Sequence, residues 1–462
     1  MSITTVNPAT GAALATYESH DDGALDRLLS AAHAATASWG LQPLDVRTEI
    51  VARLATVLRE HSDDIAALIT AEMGKPRVEA AGEVEKSAVT AEFYAAHAAG
   101  FLADTPFGID GADAWVAREP LGLVLAVMPW NFPLWQAMRF ALPAITAGNG
   151  VFLKHSPNVT GSALLIQELW ERAGLPAGVF TTVVVEESRV PSVAERLIAD
   201  DRIAGVTLTG SNRAGAAVGA AAGRAVKPSV LELGGSDAFV VLSDADVAAA
   251  AATAVTARFL NAGQSCVCAK RFIVESTVAD EFTEAFVAGA AALVVGDPTD
   301  PSTRMGPCAR ADLREAIARQ TGESVAAGAR VLTGGATPPG PGYFYAPTVL
   351  SGTAPGMPAF DQETFGPLAA IAVAADEKDA LRLANATRFG LGLSVWSGDT
   401  SRAAAFARQV TTGAAFLNAM VASDARLPFG GTRQSGYGRE LSDVGMHAFV
   451  NTRTYYATRM IE

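Results

Sequence analysis

Two side chains stand where reactive groups would be placed, a thiol and a carboxylate. Cys266 lies within Asn261-Ala262-Gly263-Gln264-Ser265-Cys266-Val267-Cys268-Ala269-Lys270-Arg271, which reads as a loop between a helix over 246–260 and a strand over 270–275. A thiol in a polar, partly open turn can serve as a nucleophile, whereas a structural cysteine hides among apolar side chains. Taken alone, such a cysteine is more often inert. Glu232 lies in Leu231-Glu232-Leu233-Gly234-Gly235-Ser236. A carboxylate in an apolar strand before two glycines is desolvated, which raises its pKa and poises it as a general base.

Three further segments carry polar groups at strand ends. In Met128-Pro129-Trp130-Asn131-Phe132-Pro133, two prolines fix a turn that presents the Asn131 amide. That amide could cap the next helix or donate to a developing oxyanion. Lys154, in Lys154-His155-Ser156-Pro157, is either a solvated strand end or a donor to ribose or phosphate. Thr209-Gly210-Ser211 opens a Gly-rich strand-to-helix turn. It lacks the tight G-x-G-x-x-G spacing but offers backbone N–H groups at a helix N-terminus, which suit a phosphate.

The elements that must position these groups follow from periodicity. Apolar residues at three-and-four spacing predict helices over 22–39 and 46–61, a further register ending at Gly74-Lys75-Pro76, and a long Ala-rich helix over 78–103. Glu79, Glu83 and Glu85 are expected on the outer face of that long helix. From Leu121 onward, strands over 123–128, 151–154, 179–185 and 203–208 alternate with helices over 133–147, 160–173 and 193–199. Such alternation argues for a parallel sheet covered on both faces, with ligands beyond the carboxyl ends of the strands. A second α/β unit begins with strands at 237–242 and 271–274 and carries Cys266. Pro338-Pro339-Gly340-Pro341-Gly342 reads as a surface loop.

Composition limits the function classes. A chain of 462 residues is too long for one core, and 18% charged with 50% hydrophobic residues is ordinary for a globular enzyme. A net charge of −13 argues against non-specific nucleic-acid binding. Three cysteines make no disulfide framework and fit a reducing, cytoplasmic compartment. No signal peptide or membrane-spanning run is evident, and the six histidines show no metal-ligand spacing.

Taken together, the motifs resemble the aldehyde dehydrogenase superfamily from end to end. The match rests on Trp-Asn-Phe-Pro, the strand-end lysine, Thr-Gly-Ser, Glu-Leu-Gly-Gly, Gly-Gln-Ser-Cys, Glu363-Thr364-Phe365-Gly366-Pro367 and Pro428-Phe429-Gly430-Gly431, in that order. The compact length, Trp135-Gln136-Ala137-Met138-Arg139 and Gly436-Tyr437-Gly438-Arg439-Glu440 resemble the short bacterial succinate-semialdehyde dehydrogenases. The resemblance implies an α/β fold of two parallel-sheet domains plus a small β oligomerisation flap. It places a Rossmann-like cofactor domain at 1–107 and 121–231, a catalytic domain at 232–440, and the flap at 108–120 and 441–462. It implies a homodimer or homotetramer.

The resemblance also implies roles. Cys266 would attack an aldehyde, Asn131 and the Cys266 N–H would hold the oxyanion, and Glu232 would activate water against the thioester. Trp130, Asn131, Lys154, Gly210, Ser211, Leu233, Glu363 and Phe365 would meet a nicotinamide cofactor. Lys154 and Glu363 would take the two riboses. NAD-preferring relatives often carry a glutamate where this chain has Pro157, so NADP is expected to be preferred over NAD. Arg139 and Ser423 match side chains that anchor a substrate carboxylate, with a scaffold ion pair as the other reading of Arg139. A further arginine of some relatives is replaced by Leu260, for which Arg426 could compensate. Cys268 matches a cysteine that bridges reversibly to the nucleophile in some relatives; an unreactive small side chain is the other reading. The implied reaction is oxidation of succinate semialdehyde. The alternatives are another aromatic or aliphatic aldehyde, a CoA-acylating enzyme, or a binding protein that kept the fold.

Overall fold

The computed structural model describes residues 2–459. Residue 1 of the expected first domain and residues 460–462 of the expected flap lie outside the described residues. Two large sheets form the body. The first has six strands in the order Gly436–Tyr437, Ser229–Glu232, Gly205–Thr209, Leu123–Met128, Gly150–His155 and Phe180–Val183. All neighbours are parallel except the first pair. Its central strands are buried on both faces, as a helix-covered parallel sheet requires.

The second sheet has seven strands, in the order Arg330–Thr333, Thr348–Ser351, Leu368–Ala374, Ala269–Glu275, Asp237–Val241, Gly392–Trp396 and Ala414–Leu417. Only the edge strand Arg330–Thr333 runs antiparallel. A separate antiparallel sheet of Val450–Thr458, Ala112–Pro120 and Thr105–Ile109 forms a flap, with Trp115 and Tyr455 stacked at 4.9 Å. Its third strand begins at Thr105, inside the stretch expected for the cofactor domain. Gly436–Tyr437, expected in the second domain, extends the first sheet instead.

The helical layer appears as expected, over Asp22–Gly40, Leu44–Glu60, Ser62–Met73 and Arg77–Phe101. Gly74 ends the third of these at φ 80°, a left-handed turn that glycine adopts without a Cβ clash. Two departures matter. A hairpin of Ser2–Val6 and Ala13–Glu18 precedes the helices, too short for its alternation to stand out. Glu83, expected outside, is buried because it faces the site. No helix of the described residues is long and apolar enough to cross a membrane.

Candidate active site

Four neighbouring strands of the first sheet end in the segments singled out by the sequence. Glu232 ends one, Thr209 leads to Gly210 and Ser211, Met128 leads to Trp130 and Asn131, and Lys154 is the last residue but one of the fourth. Their carboxyl ends form one edge, and the Cys266 loop of the second sheet lies against it. The two glycines after Glu232 make this approach possible. A Cβ on Gly235 would sit 2.9 Å from the Cys266 carbonyl oxygen, and one on Gly234 would strike the Glu363 carboxylate. Asn131 completes the junction: its Nδ2 donates to the Gln264 carbonyl at 3.0 Å, two residues before the cysteine. Thus Asn131, Glu232 and Cys266 are brought together, as the sequence requires.

The loop itself is held in an unfavourable conformation by many partners. Asn261, Ala262 and Gly263 are left-handed in succession, at φ 52°, 53° and 70°. Non-glycine residues reach this region only when surroundings over-determine it. Here the Asn261 N–H donates to Glu79, and its side chain donates to the Asn131 carbonyl at 2.7 Å. The Gln264 amide accepts from Ala309 N–H at 2.8 Å and donates to the Asn261 carbonyl at 3.1 Å. Below the loop, buried Arg258 donates to the carbonyls of Ala269, Thr364 and Gly366. Lys270 donates to the Cys266 carbonyl at 2.7 Å. The sequence reading gave no role to Arg258, Lys270 and Gln264, which nothing local distinguishes, and it set Glu79 on the outer face of its helix, whereas Glu79 turns toward the loop and accepts from Asn261 N–H.

Cys266 is half-buried and joins an apolar cluster of Trp135, Leu391, Phe429 and Leu441, with Phe132 and Val267. Burial pushes its thiol up to about 12, against the pull of Arg139 and Lys270. Glu232 is 2% exposed, and neither carboxylate oxygen has a hydrogen-bond partner among the described residues. Burial raises its pKa well above the carboxylate range, and nearby Glu440 raises it further; Arg139 and Arg439 oppose this. Arg139 therefore acts electrostatically on both the thiol and the carboxylate. A Cβ on Gly430 would stand 2.5 Å from a Glu232 oxygen, so glycine there leaves room for the acid.

The cofactor-side residues occupy the same edge. The Trp130 and Phe365 rings meet edge to face at 5.7 Å. Glu363 accepts from the Gly235 N–H at 3.0 Å, with Lys270 at 3.8 Å. Ser211 caps the helix Asn212–Arg224 by accepting from Ala214 N–H, and the Gly210 N–H donates to the Glu232 carbonyl at 2.9 Å. Leu233 packs so closely on that helix that a Cβ on Gly215 would lie 2.4 Å from it. Lys154 is buried, and burial brings its pKa down to about 8. Pro157 opens a short turn, Pro157–Val159, where Ser156 and Asn158 bond at 2.7 Å.

The substrate-side expectations fare differently. Arg139 forms a buried ion pair with Glu440 and donates to Thr209 at 3.2 Å, beneath the Phe429 ring at 4.6 Å. This is the ion pair that was the other reading of Arg139; its partner, Glu440, was not singled out in the sequence. Arg426, the residue that could compensate for Leu260, is exposed and pairs with Asp424. Ser423 is half-buried and accepts from Lys86 at 2.7 Å. Cys268 is buried, its thiol donating to the Ser265 carbonyl at 2.9 Å and lying 3.2 Å from Arg258.

Comparison with known proteins shows the family. The aldehyde dehydrogenase family model matches residues 1–455. The chain belongs to the aldehyde dehydrogenase family, as the order of its motifs implies. It is 46% identical over 455 residues to a succinate semialdehyde dehydrogenase [NAD(P)+] of Escherichia coli (strain K12), covering 98% of each chain. It is 44% identical over 460 residues to a succinate-semialdehyde dehydrogenase [NADP(+)] of Mycobacterium avium (strain 104), covering 99% of this chain and 97% of that one. The crystal structure of succinic semialdehyde dehydrogenase from Streptococcus pyogenes in complex with NADP+ superimposes with a TM-score of 0.95 at 37% identity, covering 99% of this chain and 100% of that one.

Proposed function

We propose that this protein oxidises succinate semialdehyde to succinate, with NADP preferred over NAD. The observation that carries the chemistry is the junction at Gly235, which sets an orphaned buried carboxylate and an apolar-lined thiol at one strand edge. The substrate and cofactor follow from the named activities of the relatives, together with the cations around the site.

The residues fit a nicotinamide dinucleotide. Among the described residues no carboxylate lies within 4.0 Å of buried Lys154, and Pro157 brings no negative charge beside it. Lys154 would hold the adenosine ribose and its 2′-phosphate, and Gly210 and Ser211 would face the pyrophosphate from the helix N-terminus. Trp130, Leu233, Glu363 and Phe365 would line the remainder. A bound nicotinamide would supply the hydride acceptor, so that the carbon on Cys266 could lose its hydride and be left as a thioester.

The rest is done by the chain. A thiol pushed up to about 12 is not ionised near neutral pH, so a base must take its proton as it attacks. Glu232 holds a proton firmly enough to do so. The sulfur–carbon bond forms, and the carbonyl oxygen becomes an oxyanion. One Asn131 N–H is committed to Gln264, and the second, with the Cys266 N–H, meets the oxyanion. Glu232 gives up that proton to solvent and then deprotonates a water that attacks the thioester; the carbon–sulfur bond breaks, the acid leaves, and a proton returns to the Cys266 sulfur. A carboxylate retained at this place favours hydrolysis over transfer to CoA. Ser423 faces the carboxylate of the substrate, while Arg139 shapes the field at Cys266. The exposed apolar side chains Phe107, Ile109 and Tyr456 on the flap strands suit assembly into dimers or tetramers.

The test is kcat/KM for succinate semialdehyde, glutarate semialdehyde, benzaldehyde and butanal with each nicotinamide, followed by NAD(P)H absorbance without CoA. Succinate semialdehyde with NADP is expected to lead butanal and benzaldehyde by about tenfold or more, the worth of one charge-assisted contact. Equal or faster turnover of the uncharged aldehydes would overturn the substrate assignment, and a requirement for CoA would overturn the hydrolysis.

A further inference from the structure

We propose that Lys86 is the cation that recognises the substrate's carboxylate, acting together with Ser423, and that it sets the preference for an anionic aldehyde. The inference rests on the substrate class proposed above.

It begins with an account of the positive charges around Cys266. Arg139 is matched by Glu440. Lys75, over the Phe132 ring, is matched by Glu83, with both side chains buried. Lys270 is spent on the Ser265 and Cys266 carbonyls. Arg426 is paired with Asp424 at the surface. Lys86 differs. Among the described residues no carboxylate lies within 4.0 Å of it, and its hydrogen bond goes to the Ser423 hydroxyl at 2.7 Å. An ammonium has three N–H donors, so this leaves capacity for an anion.

Its place is equally specific. Lys86 follows Glu83 by three residues on the long helix Arg77–Phe101, and so shares the helix face that braces the site. Glu83 accepts from the Trp135 N–H, and the Lys86 ammonium stands 4.5 Å from the centre of the Trp135 ring. Trp135 belongs to the apolar cluster that includes Cys266. The indole thus touches the ammonium and belongs to the cluster against which Cys266 packs. An aldehyde carbon at Cys266 and a carboxylate at Lys86 and Ser423 would be joined by methylenes lying along that indole. A half-buried ammonium over an aromatic face is poorly hydrated, and burial has brought its pKa down to about 8. Glu83 and Asp424 act on this ammonium only from beyond ion-pair distance, and an incoming carboxylate would supply the direct partner.

The experiment compares kcat/KM for succinate semialdehyde and for butanal, an uncharged aldehyde of the same chain length, with NADP. The readout is the ratio of the two in wild type, Lys86→Met and Lys86→Arg. The expected result is a fall in that ratio of about 10- to 100-fold in Lys86→Met, the worth of a hydrogen bond to a charged group. A fall of less than about tenfold overturns the proposal. Lys86→Arg is expected to keep more of the preference than Lys86→Met, and equal loss in both would refute charge as the cause. Lys86→Gln, which can still bond to Ser423, supplies the same ratio should the Met variant fail to fold. The two readings fail separately. A wild type with no preference for succinate semialdehyde over butanal sinks the substrate assignment and the anchor together. A wild type with the preference, shared by Lys86→Met, sinks the anchor alone.

Discussion

Replacing Glu83 tests whether the long helix Arg77–Phe101 holds the active-site turn in place. One Glu83 oxygen accepts from the Leu134 and Trp135 N–H groups, both at 2.9 Å, and the other pairs with Lys75. Those two amides belong to the first turn of the helix Pro133–Thr146, whose preceding residue, Phe132, offers no side-chain cap. Glu83 thus supplies from a distant helix the acceptor and negative charge that a helix N-terminus favours. In Glu83→Ala, Lys75 is left buried without a counter-ion. Releasing its proton near pH 7 from an ordinary pKa of about 10.4 costs about 4.6 kcal/mol, at about 1.36 kcal/mol per unit. That agrees with the roughly 3–5 kcal/mol seen when one partner of a buried pair is removed. The two orphaned amides bring the total to about 6 kcal/mol or more. Glu83→Gln keeps an oxygen for the amides but also leaves Lys75 unpaired, and should lose about 4–5 kcal/mol, the Lys75 cost alone. Urea unfolding followed by tryptophan fluorescence gives the ranking Glu83→Ala, then Glu83→Gln, then wild type. The double variant Lys75→Met/Glu83→Gln should recover part of the loss, since no unpaired charge remains. Glu83→Ala within about 1 kcal/mol of wild type would refute the reasoning.

Two further outcomes follow from the site. Protonation of Glu232 silences the base, so kcat should fall toward low pH with a midpoint well above the ordinary carboxylate range, and Glu440→Gln should move that limb to lower pH. The sign follows because Glu440 raises the Glu232 pKa and Arg139, freed of its partner, lowers it; a pH–rate profile that is unmoved or moves upward would contradict it. Pro157→Glu places a carboxylate beside the 2′-phosphate position, and should cut kcat/KM for NADP by about 100-fold, with NAD much less affected, as like charges in contact cost several kcal/mol. An unchanged NADP-to-NAD ratio would show that Pro157 lies away from the ribose.

Much of the scaffold was legible because its cause is local. The alternation of short apolar strands with helices from Leu121 onward follows from burial on two faces of a sheet, and each strand-end motif lies where its strand stops. The strand Leu123–Met128 has the bounds that its apolar run predicts. Glycine pairs also carried meaning in the sequence, and Gly234 and Gly235 prove to be the places where the chain leaving the first sheet passes Glu363 and the Cys266 loop without room for a side chain. The family could therefore be read from residue order, as could the segments that hold Cys266 and Glu232 at one strand edge.

The charges could not be assigned from residue order. Glu83 occupies a position that helical periodicity allows outside, yet it lies inside because the turn after Asn131 comes to it from 51 residues away. Arg139 matches an anchoring residue by position, but Glu440, from the far end of the chain, takes its charge. Lys86 is an ordinary helix lysine until Trp135 and Ser423 are folded against it. Periodicity is set by neighbours a few residues apart. The partner of a buried charge is set by which distant strands end together, and only the tertiary structure decides that.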